Sequence, residues 1–140
     1  MSFSRIAFAA LAATVTDFVY GFVVYGNLLT DSFAAQAGIY RTAEAQMANM
    51  PLGALGVLLA MVAAATLFAR GRGQWGAAAG LTFGLLLAVF SIGSCVAVNY
   101  ATLNMTGQHA AMMMAGALGE WLIVGVVIGL VYRPAQSNRA

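Results

Sequence analysis

Asp17 and Glu120 are the residues of this 140-residue chain best placed to do chemistry. Each sits near the middle of an apolar run, and neither has a basic residue at its level. A charge at that depth in a bilayer is expensive, so an acid there marks a site by default. Either both carboxyls are protonated and hydrogen-bonded, or a cation sits between them. The first case makes them helix-to-helix bonds, with Thr14, Thr16 or Tyr20 as partners. The second makes them a proton or cation relay. Both readings stand at this level.

The other reactive types are sparse. His109 falls at the far end of the last apolar run, level with Asn27, Cys95 and Asn99, which suggests an outer polar cluster of Asn27, Asn99 and His109. It also shares a helix face with Glu120, three turns away. One histidine excludes bis-histidine haem ligation within a chain, and an interfacial polar role is the simpler expectation than an axial ligand to pigment or haem. One cysteine and one histidine cannot build a Cys/His zinc site, nor a CxxC redox pair. Met112, Met113 and Met114 point three ways round a helix and read as adaptable packing. No nucleophile–base or metal constellation appears, so no enzyme, no cofactor and no metal are expected.

The elements that must position these residues follow from composition. Residues are 62% apolar and 7% charged, and every basic residue other than His109 is arginine. Four runs can each cross a hydrocarbon core, which takes about 20 residues. They are Ile6–Leu29, Pro51–Ala69, Trp75–Tyr100 and Ala110–Tyr132. The expected fold is all-α: one domain over residues 1–140, with four transmembrane helices and an outer interfacial helix. The first run is too long for a secretion signal and reads as a retained span.

Arginines orient the spans. Arg5, Arg70, Arg72, Arg133 and Arg139 fall on one side and Arg41 on the other, so the positive-inside rule predicts that both termini are cytoplasmic. The net charge of +2 is thus a topology signal, and no nucleic-acid patch is present. Counted from Arg5 and Arg133, Asp17 and Glu120 lie at one depth, roughly 18 and 20 Å in.

Between spans one and two, Thr30 or Asp31 can cap an amphipathic helix over about 31–49, with Phe33, Ala37, Tyr40 and Met47 at helical spacing. Pro51 then suits the first turn of span two. The short stretch Arg70–Gln74 predicts that spans two and three are antiparallel neighbours, with Trp75 as an interfacial anchor. Gly53-Ala54-Leu55-Gly56 recurs as Gly116-Ala117-Leu118-Gly119, and both copies run without a gap to Arg70 and Arg133. This predicts a tandem repeat of a two-helix hairpin.

Small residues predict the packing faces. Gly76, Gly80, Gly84, Ala88, Ser91, Cys95 and Asn99 line one side of span three, where helix backbones can approach closely. Gly125 and Gly129 form a second ridge on span four, with Gly129 roughly 180° round the helix from Glu120. One inward face does not readily hold both, so the expectation is that one of them meets another subunit, a partner protein or lipid. The expected partners are the bilayer and further copies or other membrane subunits.

The run Tyr20-Gly21-Phe22-Val23-Val24-Tyr25-Gly26-Asn27-Leu28, closing a first span that an acid interrupts, resembles small bacterial four-helix membrane proteins of unknown function. That resemblance implies the arrangement of spans and no activity. Four spans with an acid in the first are also similar to small multidrug transporters, although this chain is longer and has the outer segment. Two functions follow: an accessory or interaction subunit of a membrane assembly, or a dimeric proton- or cation-coupled transporter using Asp17 and Glu120.

Overall fold

A computed structural model describes residues 2–71 and 75–133, so Arg72, Gln74 and Arg139 lie outside the described residues. The regular structure of the described residues is helical, with no strand: α1 (Phe3–Val23), a π-helical segment (Val24–Leu28), α2 (Thr30–Ala34), α3 (Ala43–Arg70), α4 (Ala77–Ser91), a second π-helical segment (Ile92–Ala97), α5 (Val98–Thr102) and α6 (Gly107–Val131). Four helical stretches are long and apolar enough to span a membrane: Phe3–Leu28, Ala43–Arg70, Ala77–Thr102 and Gly107–Val131.

The element order recurs in the two halves. Each has a long helix, a π segment, a short helix and a second long helix. The second long helix is capped by threonine in both halves. Thr42 Oγ1 accepts from Ala45 N and Thr106 Oγ1 from His109 N, each at 3.3 Å. A cap of this kind satisfies one of the N–H groups that a helix start leaves unpaired.

The helices pair as α1 with α3, α1 with α6, and α4 with α6. This corrects the expected pairing of spans two and three: α3 and α4 meet through Phe68 and Phe83, with ring centroids 5.3 Å apart, but their main partners are α1 and α6. The connection between them sets their separation in sequence, whereas side-chain size sets which helices can lie close. The core fills the end that carries Arg5, Arg70 and Arg133. There Ile6, Ala9, Ala10 and Ala13 of α1 pack with Met61, Ala64, Ala65 and Phe68 of α3 and Val124 and Ile128 of α6. Alanines at i, i+3, i+4 spacing let these backbones approach. Arg5 donates to the Arg133 carbonyl, and the Arg133 guanidinium stands 5.8 Å from the Trp75 ring centroid. Thus α1 and α6 are in register at this end.

The α4–α6 contact is backbone on backbone. A Cβ at Gly80 would strike the Gly125 carbonyl, one at Gly84 the Trp121 carbonyl, and one at Gly129 the Gly76 carbonyl. Gly76 caps α4 at φ 95°, a conformation that favours glycine, and its N–H donates to the Gly129 carbonyl at 2.7 Å. The Gly125/Gly129 ridge therefore finds its partner in its own chain. The expectation that this ridge or Glu120 meets another subunit, a partner protein or lipid is corrected: α6 lies between α4 on its glycine side and α1 on its Glu120 side. A helix in this arrangement has two packed faces.

Three further expectations change. The predicted interfacial helix over 31–49 is divided: α2 is five residues long, turns follow it, and Ala43–Met50 belong to α3. Pro51 therefore lies inside α3, not in its first turn. Finally, the small-residue stripe on span three stops at Ala88. Gly80, Gly84 and Ala88 are buried, but Cys95 and Asn99 are exposed and Val96 is buried in their stead. The π segment Ile92–Ala97 accounts for this, because its wider turn adds a residue and rotates the following positions by one.

Candidate functional site

Asp17 and Glu120 come together. Asp17 continues the buried stripe of Ala10 and Ala13 and is 8% exposed, a low value for an unpaired acid. Glu120 neighbours Asp17 across the α1–α6 contact. The Tyr25 hydroxyl donates to Glu120 Oε2 at 2.7 Å and joins the pair from the far side.

Glycines on α6 make room for this. Gly116 lies directly under the Tyr25 ring and Gly119 under the Tyr20 hydroxyl. A side chain at either position would displace a tyrosine. Tyr20 Oη donates to the Gly116 carbonyl at 2.8 Å, and the Tyr20 and Tyr25 rings meet edge-on at 6.0 Å. The Gly-x-x-Gly motif of span four is therefore a pair of tyrosine seats. Its copy in span two has no such load, since a methyl added at Gly53 or Gly56 would meet nothing within 4 Å. Of the partners expected for the acids, Thr14 and Thr16 instead return their hydroxyls to the Ala10 and Ala12 carbonyls, both at 2.8 Å.

A second cluster lies at the end away from Arg5 and Arg133. His109 is 1% exposed, and both ring nitrogens are engaged: Nδ1 with Ser32 Oγ at 2.7 Å and Nε2 with Tyr40 Oη at 2.8 Å. Either neutral tautomer satisfies both contacts, because each hydroxyl can donate or accept. Burial pushes the Tyr40 phenol above its ordinary 10.0, so it keeps its proton at neutral pH. Phe33 packs edge-on against both rings, 4.8 Å from Tyr40 and 5.0 Å from His109. Gln36 and Thr106 exchange bonds beside them, Nε2 to Oγ1 at 3.2 Å and N to Oε1 at 3.4 Å. Together these contacts fasten the segment after α1 onto the start of α6.

The expected outer cluster of Asn27, Asn99 and His109 does not form. Asn27 donates to the Phe22 carbonyl of its own helix at 2.6 Å, and Asn99 is exposed. His109 takes Ser32 and Tyr40 in their place. Phe33 and Tyr40 do share a site, as their spacing suggested, but through a turn and not along a helix.

A cavity of about 960 Å³ opens beside this cluster, between the π segment after α1, α2 with its following turn, and the start of α3. Tyr25, Phe33 and Tyr40 supply its aromatic wall and Arg41 its one charged side chain. Tyr25 is therefore shared: it lines the cavity and its hydroxyl bonds Glu120. Among the described residues no group of three or more His, Cys, Asp or Glu could hold a metal ion.

Comparison with family models, with curated proteins and with solved structures yields no match to this chain.

Proposed function

We propose that the protein is a proton- or cation-coupled carrier of a small molecule, held in the cavity beside Arg41 and linked through Tyr25 to the Asp17–Glu120 pair. One observation supports this above the others: the residue that touches the cavity is the residue that bonds the half-buried Glu120. A ligand that moves the Tyr25 ring disturbs the Glu120 bond, and a proton on the pair alters what Tyr25 can do. The bias of arginines to one end, together with the resemblance to bacterial four-helix proteins, favours a bacterial inner membrane with both termini cytoplasmic.

The test is proton flux in reconstituted vesicles carrying a trapped pH dye. Solute-driven flux should be present in the intact chain and lost in Asp17→Asn and Glu120→Gln variants that still fold. If those variants lose assembly and the intact chain moves no protons with any solute, the coupled reading fails.

A second reading, an accessory or interaction subunit, has its own support. Gly53 and Gly56 lie on α3 with open space beside them, a face suited to a partner helix from another copy or another membrane protein. Copurification in mild detergent, compared with a Gly53→Leu/Gly56→Leu variant, tests it.

A further inference from the structure

We infer that the cavity takes a small organic acid, one carboxylate on an aromatic or short alkyl body; this rests on the coupled-carrier reading above. The argument comes from which polar groups on the wall are already engaged. Tyr25 Oη bonds Glu120, Tyr40 Oη bonds His109, and Thr30 Oγ1 donates to the Gly26 carbonyl at 2.7 Å. Thr42 Oγ1 caps α3 at Ala45 N, and Gln46 Nε2 donates to the Arg41 carbonyl at 2.9 Å. Among the described residues the Arg41 guanidinium has no such partner, and neither Asp31 nor Glu44, its nearest acids in sequence, lines the cavity.

The wall thus presents one unmatched charge, the exposed Arg41, a planar cation whose fork of N–H donors fits a carboxylate. The rest is ring and alkyl surface from Tyr25, Phe33, Ala34, Ala37, Ile39 and Tyr40. A ligand rich in hydroxyls would bury them unmatched, at a cost. A cationic ligand would face Arg41. A monoanion with an apolar body meets every condition. Carried with one proton on the Asp17–Glu120 pair, it also crosses with no net charge, which removes the electrical cost of moving an anion through hydrocarbon.

Benzoate is the probe, titrated by calorimetry at pH 7 into the full chain in neutral phosphatidylcholine nanodiscs. Benzoate should bind at least about tenfold more tightly than benzyl alcohol or benzylamine, and Arg41→Gln should remove that preference. Arg41→Lys, which keeps the charge and loses the fork, should fall between. Equal binding of the three ligands, or benzoate binding untouched in a folded Arg41→Gln, overturns the assignment. So does loss of benzoate binding when phosphatidylglycerol replaces phosphatidylcholine at an ionic strength that screens the surface charge, which would make an anionic lipid headgroup the occupant. Failure of the carrier reading looks different: benzoate binds through Arg41, yet reconstituted vesicles show no benzoate-driven proton uptake.

Discussion

The Tyr25 hydroxyl reaches across from the first span to Glu120 of the last at 2.7 Å, over a ring seat that Gly116 leaves open. This contact connects an aromatic cavity at one end with the half-buried Glu120 and its buried neighbour Asp17. Removing the hydroxyl by Tyr25→Phe should leave the ring and the fold in place. Interhelical hydrogen bonds in membranes are worth about 0.6 kcal/mol, up to about 1.7. Unfolding in detergent should shift by no more than that, while solute-driven proton flux in vesicles falls sharply.

Gly116→Ala attacks the same contact from the opposite side. The added methyl occupies the place of the Tyr25 ring edge, so the tyrosine must move away from Glu120. Flux should be reduced as in Tyr25→Phe. Gly53→Ala, at the matching position of the first half, meets nothing and should be neutral or stabilise by about 0.5–1 kcal/mol through helix propensity. Unfolding in detergent separates the two.

The α4–α6 seam should be the least tolerant part of the molecule. Gly80→Ala and Gly125→Ala each put a methyl into a facing backbone, which cannot rotate aside as a side chain can. Each should cost at least about 1–3 kcal/mol, the usual range for overpacking. Reversible denaturation followed by circular dichroism gives the size of the loss.

Ser32, Tyr40 and His109 hold the segment after α1 against the start of α6. A Ser32→Ala/Tyr40→Phe double variant leaves a buried imidazole without partners, at about 1–3 kcal/mol for each unsatisfied group. Amide exchange should rise over residues 30–42 and stay unchanged in Ala9–Ala13, which pack at the opposite end. Uniform exchange across both regions would show that the cluster does not fasten this segment locally.

Orientation can be read with single cysteines in a Cys95→Ala background. A cysteine at Ser2 should resist an impermeant maleimide added to intact cells, and one at Asn104 should react. The reverse pattern would turn the molecule over and place the cavity on the cytoplasmic side.

The sequence by itself determined the four long apolar helices, the common depth of Asp17 and Glu120, and the glycine ridges. Each depends on hydropathy and on a fixed rise per residue, which are properties of one helix at a time. Tertiary structure alone decided what those helices touch. It sent the Gly125/Gly129 ridge to span three of the same chain, gave His109 to Ser32 and Tyr40, and brought Tyr25 to Glu120. Partner choice depends on how each helix is rotated against its neighbours, and a π turn changes that rotation without any mark in the hydropathy. Cys95 shows the effect: by α-helical count it belongs to the packed stripe, and the extra residue of the Ile92–Ala97 turn gives its place to Val96.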